Sequence, residues 1–162
     1  MTTTWISEDG EPVSKKISIF GWAVLLSRGS TIIFTILFGL ILKFLLRLFE
    51  RPLFGDRRPV SPVITVLVSK VSLWLLAIPV TRFGAPLKQP GAIVANHSSW
   101  LDIFALNSGQ SLYFVSKSEV ASWPGIGLLA KATGTLFIRR ESKEAVAQKK
   151  LFGQRIKMGH RL

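Results

Sequence analysis

The 162-residue chain has no cysteine, two histidines and one tyrosine. Without thiols it can form no disulfide and carry no thiolate chemistry. With only His97 and His160 as imidazole ligands, no metal centre is expected. Acidic residues are also scarce, nine against 21 lysines and arginines, for a net charge of +12. Charged residues of both signs reach only 19% while hydrophobic residues make up 48%. Mean hydropathy is +0.38, which excludes a disordered chain. There is no Gly-x-Ser-x-Gly elbow, so a serine acyl-enzyme is not indicated, and there is no P-loop. Gly125-x-Gly127-x-x-Ala130 imitates a dinucleotide fingerprint, but Trp123-Pro124 stands where a strand should precede it. No cofactor is expected.

What the chain has in excess is positive charge and apolar length. A basic protein seeks polyanions, and one that is also apolar suits an anionic membrane surface better than nucleic acid. The basic stretch Arg139–Arg161 holds one aromatic, Phe152, at helical spacing, so no nucleic-acid partner is expected. The charge divides into three parts. Residues 1–29 carry three groups of each sign, residues 30–81 six basic and two acidic, and residues 82–162 twelve basic and four acidic. These are read as an N-terminal segment, a helical hairpin and a C-terminal domain.

Two apolar stretches dominate the middle part, Ser30–Phe49 and Pro62–Val80. Each is about the length that crosses a ~30 Å hydrocarbon core as a helix. Lys43 and Arg47 could snorkel to headgroups, whereas Lys70 is costly at the bilayer centre. A shallow hairpin in one leaflet therefore competes with two full spans, and a helical pair buried in a soluble core is the third reading. Five basic residues follow the first apolar core before Val60, against three in the first 28 residues. That bias places the loop and the C-terminal domain on the cytoplasmic side.

From Arg82 onward, strand candidates (Gly91–Ala95, Ser111–Ser116, Thr133–Ile138) alternate with helical stretches at Trp100–Asn107, Ser118–Ala132 and Glu141–His160. The alternation predicts an α/β unit with mostly parallel pairing. Within it, Asn96-His97-Ser98-Ser99-Trp100-Leu101-Asp102 sets a lone histidine just past a strand and a carboxylate five residues on. Asp102 can accept the Nδ1 proton, fix the tautomer and leave Nε2 as a general base. Ser99-x-x-Asp102 also reads as a capping box, in which the carboxylate only starts a helix. The second feature is Gly134-Thr135-Leu136-Phe137-Ile138-Arg139-Arg140, an apolar strand closing on two guanidinium groups. Such a pair suits a phosphate, or is simply a solvated strand end.

Together, NHSSWLD and GTLFIRR resemble the first two motifs of the lysophosphatidic acid acyltransferases, within the glycerolipid acyltransferase superfamily. Asn96, His97 and Asp102 meet the first motif, and Gly134, Phe137, Ile138 and Arg140 the second. Arg139 falls where the family varies. The resemblance implies an N-terminal membrane-associated helical hairpin followed by a mostly parallel α/β acyltransferase domain, here partial. It implies His97 as base and Asp102 as its orienter, with Asn96, Gly134, Arg139 and Arg140 at the acceptor. Ser98 and Ser99 are expected to cap rather than catalyse. The implied reaction moves an acyl group from acyl-CoA or acyl-carrier protein to the hydroxyl of lysophosphatidic acid at a lipid surface. An amino-acid-containing lyso-lipid is the alternative acceptor. Nothing like the family's Glu-Gly-Thr motif follows before Leu162, so the chain is expected to be the N-terminal part of such an enzyme, or an inactive membrane-binding fragment.

Overall fold

The computed structural model describes residues 16–55, 57–139 and 141–162. Most of the N-terminal segment, Asp56 and the candidate ligand Arg140 lie outside the described residues. Helix α1 runs Ile19–Phe54, beginning well before Ser30 and ending past Phe49. Ser18 starts it, its hydroxyl accepting the Gly21 N–H at 3.0 Å. It stops at Gly55, whose φ of 60° no continuing helix adopts. Helix α2 is Ser61–Leu75, ending short of the expected Val80 where the backbone turns at Ala77, φ 56°. Its 15 residues rise only about 22 Å, less than a bilayer core requires. Two full spans are therefore not built. Among the described residues α1 alone is long and apolar enough to cross a membrane, with a mean hydropathy of 2.4 over its best stretch.

The two helices touch at Gly39, Lys43 and Glu50 of α1. At Gly39 the backbone comes so close to Val68 that a Cβ would collide with its Cγ2. Lys43, expected to snorkel, is instead buried and its Nζ donates to the Thr65 hydroxyl at 2.6 Å. Arg47 also turns inward and donates to the carbonyl of Arg57 at 3.0 Å. Glu50 is buried as well, and its Oε1 accepts the N–H groups of Val60 and Ser61 at 2.6 and 2.8 Å. That carboxylate satisfies donors that the start of α2 otherwise leaves without a partner. Lys43, Arg47 and Glu50 thus knit the helix junction, because a charged group taken out of water is costly unless it finds an internal partner.

Beyond an irregular stretch, helix α3 (Leu101–Asn107) packs against α2. Strand β1 (Val115–Lys117) pairs in parallel with β2 (Leu136–Ile138), in the register Val115↔Leu136 and Lys117↔Ile138. The crossover contains a 3-10 turn at Ser118–Ser122 and helix α4 (Ile126–Thr133), separated at Trp123-Pro124-Gly125 as the sequence suggests. Helix α5 is Ala145–Lys157. The expected strand at Gly91–Ala95 is reduced to a single parallel bridge from Gly91 to Arg161. Ile93 N–H reaches the Leu162 carbonyl at 2.7 Å and Tyr113 N–H the Arg161 carbonyl at 2.8 Å, so residues 161–162 lie between these two backbones. Leu112, Tyr113 and Leu136 form the buried centre of this part.

Candidate active site

The local chain dictates the first contact. Ser99 O accepts the Asp102 N–H at 3.1 Å and Ser99 Oγ the Leu101 N–H at 3.2 Å, winding the first turn of α3 directly after the histidine. That turn swings Asp102 back. Its Oδ2 lies 2.9 Å from His97 Nδ1 and also accepts the backbone N–H groups of Ser98 and Ser99, each at 2.9 Å. One carboxylate oxygen thus both ties down the start of the helix and meets the imidazole, so the two readings do not exclude each other. The N–H of Ser99, then that of Ser98, then the imidazole keep its carboxyl below the ordinary value of 3.8. A carboxylate accepting at Nδ1 leaves the other ring nitrogen of His97, itself largely exposed, open to a substrate proton.

His97 and Asn96 stand at the edge of a cavity of about 500 Å³. Its walls come from four helices: Ile36 and Leu40 of α1, Ile64 and Val68 of α2, Phe104 of α3, and Leu129 of α4. The lining is mostly apolar, with Lys43 and Thr65 as a polar pair on the helical side. An apolar hollow with few polar groups beside a poised imidazole suits a hydrocarbon-bearing substrate.

The remaining sequence candidates sit elsewhere. Arg139 is exposed at the carboxyl end of β2, its Nη1 3.8 Å from Glu144 Oε1, and does not line this cavity. Gly134 lines neither cavity of the structure described here. It closes α4 in the left-handed conformation, φ 84°, with room for a Cβ denied by the Tyr113 ring at 2.9 Å. Sequence reasoning passed over Lys117, which ends β1 beside Ile138 and so shares a strand end with Arg139. Its signal was present, since SLYFVSK closes on a cation as TLFIRR does. Lys43 carried no such signal, because it read as a membrane-edge lysine.

Comparison with known proteins agrees with this geometry. A family model described as Acyltransferase matches residues 78–160. The chain belongs to the acyltransferase family. Among curated relatives, the lyso-ornithine lipid O-acyltransferase of Rhodobacter capsulatus is 46% identical over 98% of this chain and 57% of its own length. The Pseudomonas aeruginosa protein of the same name is 40% identical over 62% of this chain and 40% of its own. The 1-acyl-sn-glycerol-3-phosphate acyltransferase of Neisseria gonorrhoeae is 43% identical over 38% of this chain and 25% of its own. The chain thus spans little more than half the length of the first of these acyltransferases. No solved structure matches it.

Proposed function

We propose that this chain carries the base and the acyl-chain wall of a lyso-lipid O-acyltransferase. His97 removes the proton from the acceptor hydroxyl while Asp102 holds the ring and stabilises the imidazolium that forms. The freed oxygen attacks the carbonyl of a fatty acyl thioester, carried by coenzyme A or acyl-carrier protein. The tetrahedral oxyanion collapses, the carbon–sulfur bond breaks, and the imidazolium returns its proton to the leaving thiolate. No covalent enzyme intermediate is required. The observation that carries this reading is the 2.9 Å contact of His97 Nδ1 with Asp102 at the mouth of an apolar cavity.

A lyso-ornithine lipid is the acceptor best supported, because the similarity to the Rhodobacter protein runs along 98% of the chain. Lysophosphatidic acid is the second reading, favoured by the two cations Lys117 and Arg139 at one strand end. The reaction takes place at a membrane, which the exposed Phe34, Phe38, Ile41 and Phe44 of α1 support. The domain after α2 faces the cytoplasm.

The test is transfer of labelled acyl groups by membranes containing the chain, offered lyso-ornithine lipid and lysophosphatidic acid in parallel. His97→Ala is expected to lower the rate by roughly 10²–10⁴-fold, the usual worth of a general base. Transfer unchanged in the variant would remove His97 from the chemistry, and a preference for lysophosphatidic acid would reverse the choice of acceptor.

A further inference from the structure

A second cavity, of about 490 Å³, lies under the α1–α2 connection, away from His97 and Asp102. Arg57, Arg58 and Arg161 line it, with Tyr113 and His160 as its floor and Phe54, Pro59 and Pro62 at its rim. No acidic side chain among the described residues lines it. Among the described residues, none of the three arginines has a carboxylate within 4.0 Å. Arg161 is held by the carbonyls of Leu87 and Lys88, and Arg58 donates to the Ala132 carbonyl at 3.3 Å. Both guanidinium groups are therefore held in place by neutral carbonyls, with Glu50 acting on Arg58 only from beyond 4.0 Å.

The floor is built, not accidental. The rings of His160 and Tyr113 stack at 4.2 Å, both are buried, and His160 Nδ1 has no hydrogen-bond partner. Burial, with Arg155 and Arg58 nearby, holds the imidazole below its ordinary value of 6.5, so the ring adds no charge of its own at neutral pH. Partly buried guanidinium groups without an anion are costly, and their fork geometry matches phosphate oxygens.

We propose that this cavity is a phosphate-binding site, separate from the reaction centre, that holds the phosphate of an anionic phospholipid or free phosphate. The inference does not rest on the acyl-transfer reading. Its rim favours a lipid headgroup, since Phe54 and the two prolines continue the apolar surface of α1 past the arginines. Tyr113 also lines the first cavity, so an occupant here rests against the wall of the reaction chamber.

The chain has only two histidines, so ¹⁵N-histidine spectra in neutral detergent isolate His160 once His97→Ala has assigned the other. The titrants are inorganic phosphate at constant ionic strength, phosphatidylglycerol, and a neutral glycolipid without phosphate. The His160 resonance is expected to move saturably with phosphatidylglycerol and not with the glycolipid. Movement with inorganic phosphate as well means that the group is bound whatever its carrier, and movement with inorganic phosphate alone identifies the free ion. Arg58→Gln and Arg57→Gln should each weaken the response roughly tenfold or more. Arg57 makes no side-chain hydrogen bond among the described residues, so it keeps the test valid if loss of the Arg58–Ala132 contact unfolds the protein. No saturable movement with either phosphate source, an equal response to the glycolipid, or undiminished binding in Arg57→Gln would each overturn the proposal.

Discussion

At Asp102 all three donors meet one oxygen, Oδ2, and this decides what an amide in its place could keep. The Oδ1 of an asparagine can still accept the Ser98 and Ser99 N–H groups, so α3 should start normally. An amide lacks the charge that stabilises an imidazolium, and it can present its NH2 to Nδ1 and impose the wrong tautomer. Asp102→Asn is therefore expected to cut kcat by a factor of tens to thousands with little change in KM or melting temperature. The sign of the pH effect follows from the direction of the shift. A carboxyl held below 3.8 gives its stabilisation in full above that value and loses it as pH falls through its lowered one. Any acid limb in the rate above pH 4 should therefore survive in Asp102→Asn, and its disappearance would show the carboxyl titrating there. Gly134 gives a structural counterpart. An alanine pays about 1–2 kcal/mol for the left-handed backbone. Its methyl also meets the Tyr113 ring at 2.9 Å and the Arg58 guanidinium at 3.0 Å. A drop of roughly 4 °C or more in Tm is expected for Gly134→Ala, by calorimetry in detergent.

Helices reveal what sequence patterns transmit. The pair of apolar stretches was legible because about 20 mostly apolar residues in a row have few structural uses. Their ends were not, since α1 begins at a serine cap well upstream and α2 stops at a local backbone turn inside an apolar run. The His97–Asp102 contact was legible because five residues and one helical turn suffice to make it. Lys43 with Thr65, Glu50 with the start of α2, and Tyr113 with His160 depend on tertiary approach, and no spacing encodes them. The strand at Gly91 shrank because its neighbour in the structure is only residues 161–162. Helix approach also makes a prediction. Gly39→Ala drives a methyl into Val68 and should destabilise by about 1–3 kcal/mol, as overpacking does. Val68→Ala in the same chain should restore part of that loss, giving a non-additive double-mutant cycle in thermal unfolding. Strict additivity would mean that the helices separate freely at this point.

Across the whole molecule, polar groups of α1 turn inward to α2 and its opposite face is left apolar. Phe38 is 58% and Ile41 60% exposed, with Phe34 and Phe44 beside them. Leaving so wide an apolar surface in water is unfavourable, and the proposed membrane setting would cover it with lipid. Phe38→Glu combined with Ile41→Glu should reduce co-flotation with lipid vesicles by more than about a hundredfold, given the cost of each charge in hydrocarbon. Flotation that survives both charges would place the contact with lipid elsewhere, and salt sensitivity would then point to the basic C-terminal part.

Residues 161–162 lie between the backbones of residues 91–93 and 113, and this has a consequence for the order of events during synthesis. A growing chain exposes α1 and α2 first, and their mutual contacts, Gly39 with Val68 and Lys43 with Thr65, need nothing made later. The bridge at Gly91 must wait for Arg161, made 70 residues later. At about 5–20 residues per second that delay lasts several seconds. The α1–α2 contact can therefore form before this closure, and the N–H groups of Ile93 and Tyr113 lack these carbonyl partners until the late segment arrives.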